Sequence, residues 1–145
     1  MTVTAVAPER SAPRELSLPR LGLMRAGYAF MAIGLALAKW PLLLEAHTLP
    51  LAEGLNLSLL TGMFLLALLG LRHPVKLLPL LVFETAWKLV WLSIVALPQA
   101  ITGDLSNATA EMVFSCSLVV LIIAAIPWRY VWSEYVRSDG DRWRS

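Results

Sequence analysis

Glu84 and Lys88 stand four residues apart in the stretch Phe83-Glu84-Thr85-Ala86-Trp87-Lys88-Leu89-Val90-Trp91, inside an apolar run from Val75 to Leu97. On a helix this spacing puts both side chains on one face, and the acid-first order is the better one for an ion pair. The run is long enough to cross a bilayer. A lone charge in hydrocarbon is costly, so an ionisable residue at that depth is a functional candidate by default. Two chemistries follow. One is an internal salt bridge that fixes helix register and packing. The other is a proton or ion site with Glu84 as the titrating group. The first is preferred, because a pair that neutralises itself on one helix has less need of a substrate. Buried ion pairs are also sometimes kept for specificity rather than stability.

Glu84, Lys88, Trp91 and Val95 share one helical face, with Trp87 at its edge. That face is expected to point into a bundle. At a rise of ~1.5 Å per residue, Lys88 lies level with Thr61 and slightly inward of Ser58 and Ser117. Those three hydroxyls are candidate partners, and Trp87 and Trp91 are candidates to stack on the ammonium.

The remaining reactive types offer less. His47 and His73 fall on opposite sides of the membrane by the topology below, so they share no metal, and no metal site is expected. Ser115-Cys116-Ser117 has no His or acid at its depth to activate a nucleophile, and it reads as a small polar packing face. Cys116 is the single cysteine, so no intrachain disulfide forms. Asn56-Leu-Ser58 and Asn107-Ala-Thr109 match the glycosylation pattern, which is short and recurs by chance. No P-loop, GxGxxG, HExxH, CxxC or GxSxG occurs, which weighs against a common soluble-type catalytic site. No cofactor is expected.

The elements that must position the pair are apolar helices. Of 145 residues, 58% are hydrophobic, and the mean hydropathy is +0.68. These values fit an integral membrane protein of one domain. The formal net charge is only +2, with no clustered basic patch of the kind nucleic acid needs. Residues 1–20, with Pro8, Pro13 and Pro19 among Ser, Thr and Ala, read as a disordered tail. The next apolar run is too long for the core of a cleaved signal peptide.

Four spans are expected, at about 21–44, 54–71, 75–97 and 112–132, followed by a polar tail over 133–145. Gly22/Ala26, Ala32/Ala36 and Gly34/Ala38 in span one, and Gly54, Ser58 and Gly62 in span two, are spaced for close helix packing. Arg25 is placed to snorkel to headgroups, and Lys39 and Trp40 suit the far interface. Arg72-His73-Pro74-Val75-Lys76 is a tight connection, so spans two and three form an antiparallel hairpin. Pro98 is expected to stop span three, Ser106 or Asn107 to cap span four, and Pro127 to bend it. Trp128, Tyr130 and Trp132 make an aromatic belt. Trp143, between Arg142 and Arg144, reads as part of a solvated tail.

The charges set an orientation. Arg10, Arg14, Arg20, Arg72, Lys76, Arg129, Arg137, Arg142 and Arg144 lie in the two tails and the second loop. The first and third loops carry Glu45, Glu53, Asp104 and Glu111 and no Lys or Arg. The positive-inside rule then puts both termini in the cytoplasm. The two mid-depth charges make span three marginal on its own. Each costs roughly 2.5–3.5 kcal/mol at a helix centre, against about 0.3–0.6 returned per Leu, Ile, Val or Phe. The span is therefore expected to enter as a hairpin with span two, or with Glu84 paired or protonated.

Leu71-Arg72-His73-Pro74-Val75-Lys76-Leu77-Leu78-Pro79, Phe83-Glu84 with Trp87-Lys88 and Trp91, Pro127-Trp128-Arg129-Tyr130-Val131 and Gly140-Asp141-Arg142-Trp143 together resemble a group of small, uncharacterised bacterial four-span membrane proteins. The resemblance covers most of the second half of the chain. It implies the bacterial inner membrane and no activity. Arg25, Gly34 and Lys39 resemble, as a sparse pattern, DoxX-like proteins, a four-span family linked to membrane redox complexes.

The sequence thus describes an all-α bundle of four transmembrane helices with N-in/C-in topology, in contact with the lipid bilayer. The leading function is a non-catalytic structural or accessory subunit, forming a homo-oligomer or joining a larger membrane complex. The alternatives are a small oligomeric proton- or ion-coupled transporter using Glu84, and a DoxX-like membrane redox component.

Overall fold

The computed structural model describes residues 15–140. Most of the expected N-terminal tail, with Arg10 and Arg14, lies outside the described residues, as do Arg142, Trp143 and Arg144. Among the described residues every regular element is helical. Four helices are long and apolar enough to cross a membrane: α1 (Leu18–Leu44), α2 (Leu51–Arg72), α3 (Leu78–Thr102) and α4 (Asn107–Ala125). A short α5 (Trp128–Val131) follows.

Short connections force an up-and-down arrangement. A single 3-10 turn at Ala46–Thr48 joins α1 to α2, and the turn around Pro74 joins α2 to α3. In cross-section the helices run in chain order around a ring. α1 packs most extensively on α2, α4 lies between α1 and α3, and the α2–α3 seam is the thinnest. One end of the bundle holds the α2–α3 turn and the break after α4, and is called here the turn end. The other holds the α1–α2 and α3–α4 connections, and is called the loop end.

The helix boundaries show what the prolines do. Pro19 sits in the first turn of α1 and Pro79 in the first turn of α3, where a missing N–H costs no helical bond. Pro98 does not stop α3, contrary to expectation. The helix widens to a π turn over Leu92–Ala96, where the Leu97 N–H reaches back five residues to the Leu92 carbonyl, and it resumes over Leu97–Thr102. The wider turn gives the Pro98 ring room that an α-turn denies it. Gly103 ends the helix instead, at φ 78, a left-handed conformation that glycine adopts without strain.

The third loop is therefore short. Ser106 caps α4, its Oγ accepting from the Thr109 N–H at 3.1 Å, and α4 starts five residues before the expected span. Pro127 ends α4 rather than bending it. It removes the N–H that the Ile123 carbonyl would accept, and the Trp128 indole N–H takes that place at 2.9 Å.

The core fills the turn-end half. Met24, Tyr28, Met31, Ala67, Leu81 and Ile122 are all buried there, and Gly27 and Gly70 are the close crossings. A Cβ on Gly70 would stand 2.4 Å from the Tyr28 ring, and one on Gly27 would stand 3.2 Å from the Ala125 Cβ. Gly22, Gly34, Gly54 and Gly62, expected at crossings, would each meet nothing within 4 Å of an added Cβ. Four-residue spacing of small residues recurs on several faces here. The face that turns inward is the one carrying Met24, Tyr28 and Met31.

Candidate functional site

The first turns of α3 place the site. Leu78, Leu81 and Thr85 are buried, which fixes the rotation of the helix and turns Glu84 inward. Glu84 is 2% exposed. Its Oε1 meets the Lys88 Nζ at 2.6 Å, and its Oε2 accepts from the Trp87 indole N–H at 2.8 Å. The Lys88 ammonium also lies 5.6 Å from the centre of the Trp87 ring. Residues three and four positions along one helix thus engage both carboxylate oxygens. Charge-assisted bonds of this kind offset much of the desolvation cost of the buried acid.

The expected partners from other helices do not reach the pair. The Ser58, Thr61 and Ser117 hydroxyls donate to the carbonyls of Gly54, Leu57 and Val113, each four residues back on its own helix. A hydroxyl in a helix competes for that carbonyl wherever no better acceptor is in reach. Trp91 lies with Phe83, Val90 and Ile94 along an open apolar dish on the outer face of α3. Of the two tryptophans, only Trp87 meets the ammonium.

The pair forms part of the wall of a cleft of about 240 Å³ at the centre of the loop-end half. All four long helices contribute. Met31 and Ile122 lie at its floor, and Gly34, Leu35 and Ala38 line one side. Toward the loop end it takes in Lys39, Asn56, Met112 and Ser115. Lys39, Asn56 and Ser115 were not among the residues expected near the pair. A signal for Lys39 was present: Met31, Gly34, Leu35, Ala38 and Lys39 follow the three- and four-residue steps of one helical stripe. The smallness of Gly34 and Ala38 leaves this space open instead of closing a helix crossing.

At the turn end, polar groups close off the bundle. The Arg20 guanidinium donates to the Ile126 carbonyl at 2.5 Å, the Arg25 Nε to Leu71 at 3.2 Å, and the Tyr28 hydroxyl to Pro74 at 2.8 Å. Arg25, expected to snorkel to headgroups, is exposed, and its Nε meets a carbonyl that the end of α2 leaves without a helical partner. Cys116 is buried in α4. His47 and His73 stand at opposite ends of α2, and no group of three His, Cys, Asp or Glu able to hold a metal occurs among the described residues.

No protein-family model, curated protein or solved structure matches the sequence.

Proposed function

We propose that this chain is a multi-pass protein of the bacterial inner membrane, with both termini cytoplasmic, that serves as a non-catalytic structural or accessory subunit of a membrane assembly. One observation carries the reading: both oxygens of Glu84 are engaged by its own helix. A carboxylate held this way is bonded at each oxygen by side chains of its own helix, which suits a structural element better than a freely titrating substrate site. The four apolar helices support the membrane location. The acidic first and third loops, set against basic tails and a basic second loop, support the orientation.

The test is a double-mutant cycle on the pair. Glu84→Gln and Lys88→Met are each expected to cost about 3–5 kcal/mol by stranding the other charge, and the double change is expected to restore stability. Folded yield in mild detergent and resistance to unfolding measure this. Co-purification then asks whether the assembly forms. Single variants as stable as the parent chain, or a double variant no better than the singles, would remove the structural role.

A second reading, a proton- or ion-coupled transporter built as an oligomer on Glu84, is favoured by the cleft beside the pair. Proton movement in vesicles that is lost in a stably assembled double variant would select it.

A further inference from the structure

The cleft lining carries more positive than negative charge. Lys39 and Lys88 bring two ammonium groups, Asn56 an amide and Ser115 a hydroxyl, while Glu84 is the single carboxylate. That carboxylate is already engaged. Two cations against one anion leave one positive charge in a space otherwise walled by Phe30, Leu35 and Ile122. Glu53 lines the adjoining opening with Lys39 and Asn56, but among the described residues it makes no ion pair with Lys39. Among the described residues, Lys88 has no hydrogen-bond or ion-pair partner besides Glu84, so its ammonium keeps donors for a further acceptor. A group with one negative charge and several acceptor atoms fits this inventory. A cation does not.

The cleft also has a side extension. A groove of about 260 Å³ runs between α2 and α3, lined by Leu59, Met63 and Phe83. It shares Asn56, Leu60 and Trp87 with the cleft. It lies along the thinnest seam of the bundle. Leu59 and Phe83 are exposed there, on a surface that faces lipid in a spanning bundle. The donors are therefore inside and the continuous apolar track runs outward.

We propose that cleft and groove form one binding site for a single-chain anionic amphiphile. Lys39, Lys88 and Asn56 hold its carboxylate or phosphate head, and its chain lies between α2 and α3. The site goes beyond the accessory reading and shares with it only the bilayer as solvent. Net charge selects a monoanionic head over a neutral one, and the lateral groove selects a ligand that arrives from the membrane.

The experiment uses the full chain in phosphatidylcholine nanodiscs, a palmitate analogue carrying a diazirine near its chain end, and mapping of the crosslinks. Saturable labelling is expected on α2 and α3 around Leu59, Met63 and Phe83. Unlabelled palmitate or lysophosphatidylglycerol, each carrying one negative charge on a single chain, should displace the probe, and their ranking tells carboxylate from phosphate. Hexadecanol, butyrate and inorganic phosphate should not displace it. Lys39→Ala should weaken binding about tenfold, the scale of one lost charged hydrogen bond. Leu59→Trp should abolish labelling by filling the groove, and Asn56→Leu gives a second, exposed position that leaves the core untouched. Labelling spread evenly over all lipid-facing helices, hexadecanol competing as well as palmitate, or unchanged binding in both Lys39→Ala and Asn56→Leu would overturn the proposal. Competition by butyrate or inorganic phosphate would overturn it in favour of a water-borne anion. Retention of the chain in carbonate-washed membranes is scored separately, so a failed site is not mistaken for a failed membrane assignment.

Discussion

The two halves of the bundle are built from the same four helices and packed differently. At the turn end, the Tyr28 ring packs against Gly70, Gly27 meets Ala125, and three side chains of α1 bond carbonyls where α2 and α4 end. At the loop end Leu57 and Ala96 are among the few buried side chains, α3 is widened by a π turn, and a cleft separates the helices. The contrast teaches where rigidity is needed. In a bilayer there is no hydrophobic drive between helices, so close packing and interhelical hydrogen bonds must hold them together. This chain concentrates both at one end. The other end is left free to differ, and the charged pair sits where the two regimes meet.

The contrast is broken most forcefully at Gly70. Gly70→Val would drive its new methyl groups into the Tyr28 ring, which is itself held by Pro74 and has little room to retreat. A loss of about 3 kcal/mol is expected, the upper range for overpacking. It would be read as lost monodisperse protein and an earlier unfolding transition in a denaturing-detergent titration. Gly62→Val is the matched control, in open space on the same helix, and is expected to stay within about 0.5 kcal/mol. Equal effects at the two positions would mean that the halves do not differ as described.

A smaller effect is expected at the Tyr28 hydroxyl. Tyr28→Phe keeps the ring on Gly70 and removes only the buried bond to the Pro74 carbonyl, for a loss of about 1 kcal/mol. Thr61→Val removes a hydroxyl from the other half, where the bond returns to its own helix at Leu57. The expected cost there is near zero, because the backbone bonds of α2 are unaffected. The same titration measures both. A Thr61→Val loss as large as that of Tyr28→Phe would show that the local hydroxyl bonds of the loop-end half support the bundle after all.

The two halves were also unequally legible in the sequence. Long apolar runs located all four helices, because a bilayer-length hydrophobic stretch has few alternative readings. The pair itself was legible from the four-residue step between Glu84 and Lys88, and Trp87 was named beside the ammonium, though its indole bond to Glu84 was not. The helix ends were not. Pro98 and Pro127 look alike in sequence, yet a π turn accommodates the first while the second ends α4, and only the surrounding helix geometry decides between these outcomes. Partners across helices were illegible for a different reason. Counting residues gives depth along an axis but not rotation about it, so Ser58, Thr61 and Ser117 could be placed at the right level without facing the pair. The stripe from Met31 to Lys39 was visible, but not that it borders open space, because an opening depends on how far the helices diverge.

Gly34 gives the smallest and most discriminating prediction. It lies on that stripe, lines the cleft, and has no neighbour within 4 Å of an added Cβ. A glycine inside a helix costs roughly 0.5–1 kcal/mol relative to alanine through the backbone freedom it loses on folding. With no clash to oppose that gain, Gly34→Ala should stabilise the bundle by about that amount. Gly27→Ala, at a comparable helical position but 3.2 Å from the Ala125 Cβ, should destabilise it or leave it unchanged. The unfolding midpoints of the two variants should therefore move apart, Gly34→Ala upward and Gly27→Ala not. If Gly34→Ala lowered the midpoint, helices would have to close on one another at that level. The loop-end half would then be packed like its counterpart, and the cleft beside Glu84 and Lys88 would not exist in the folded protein.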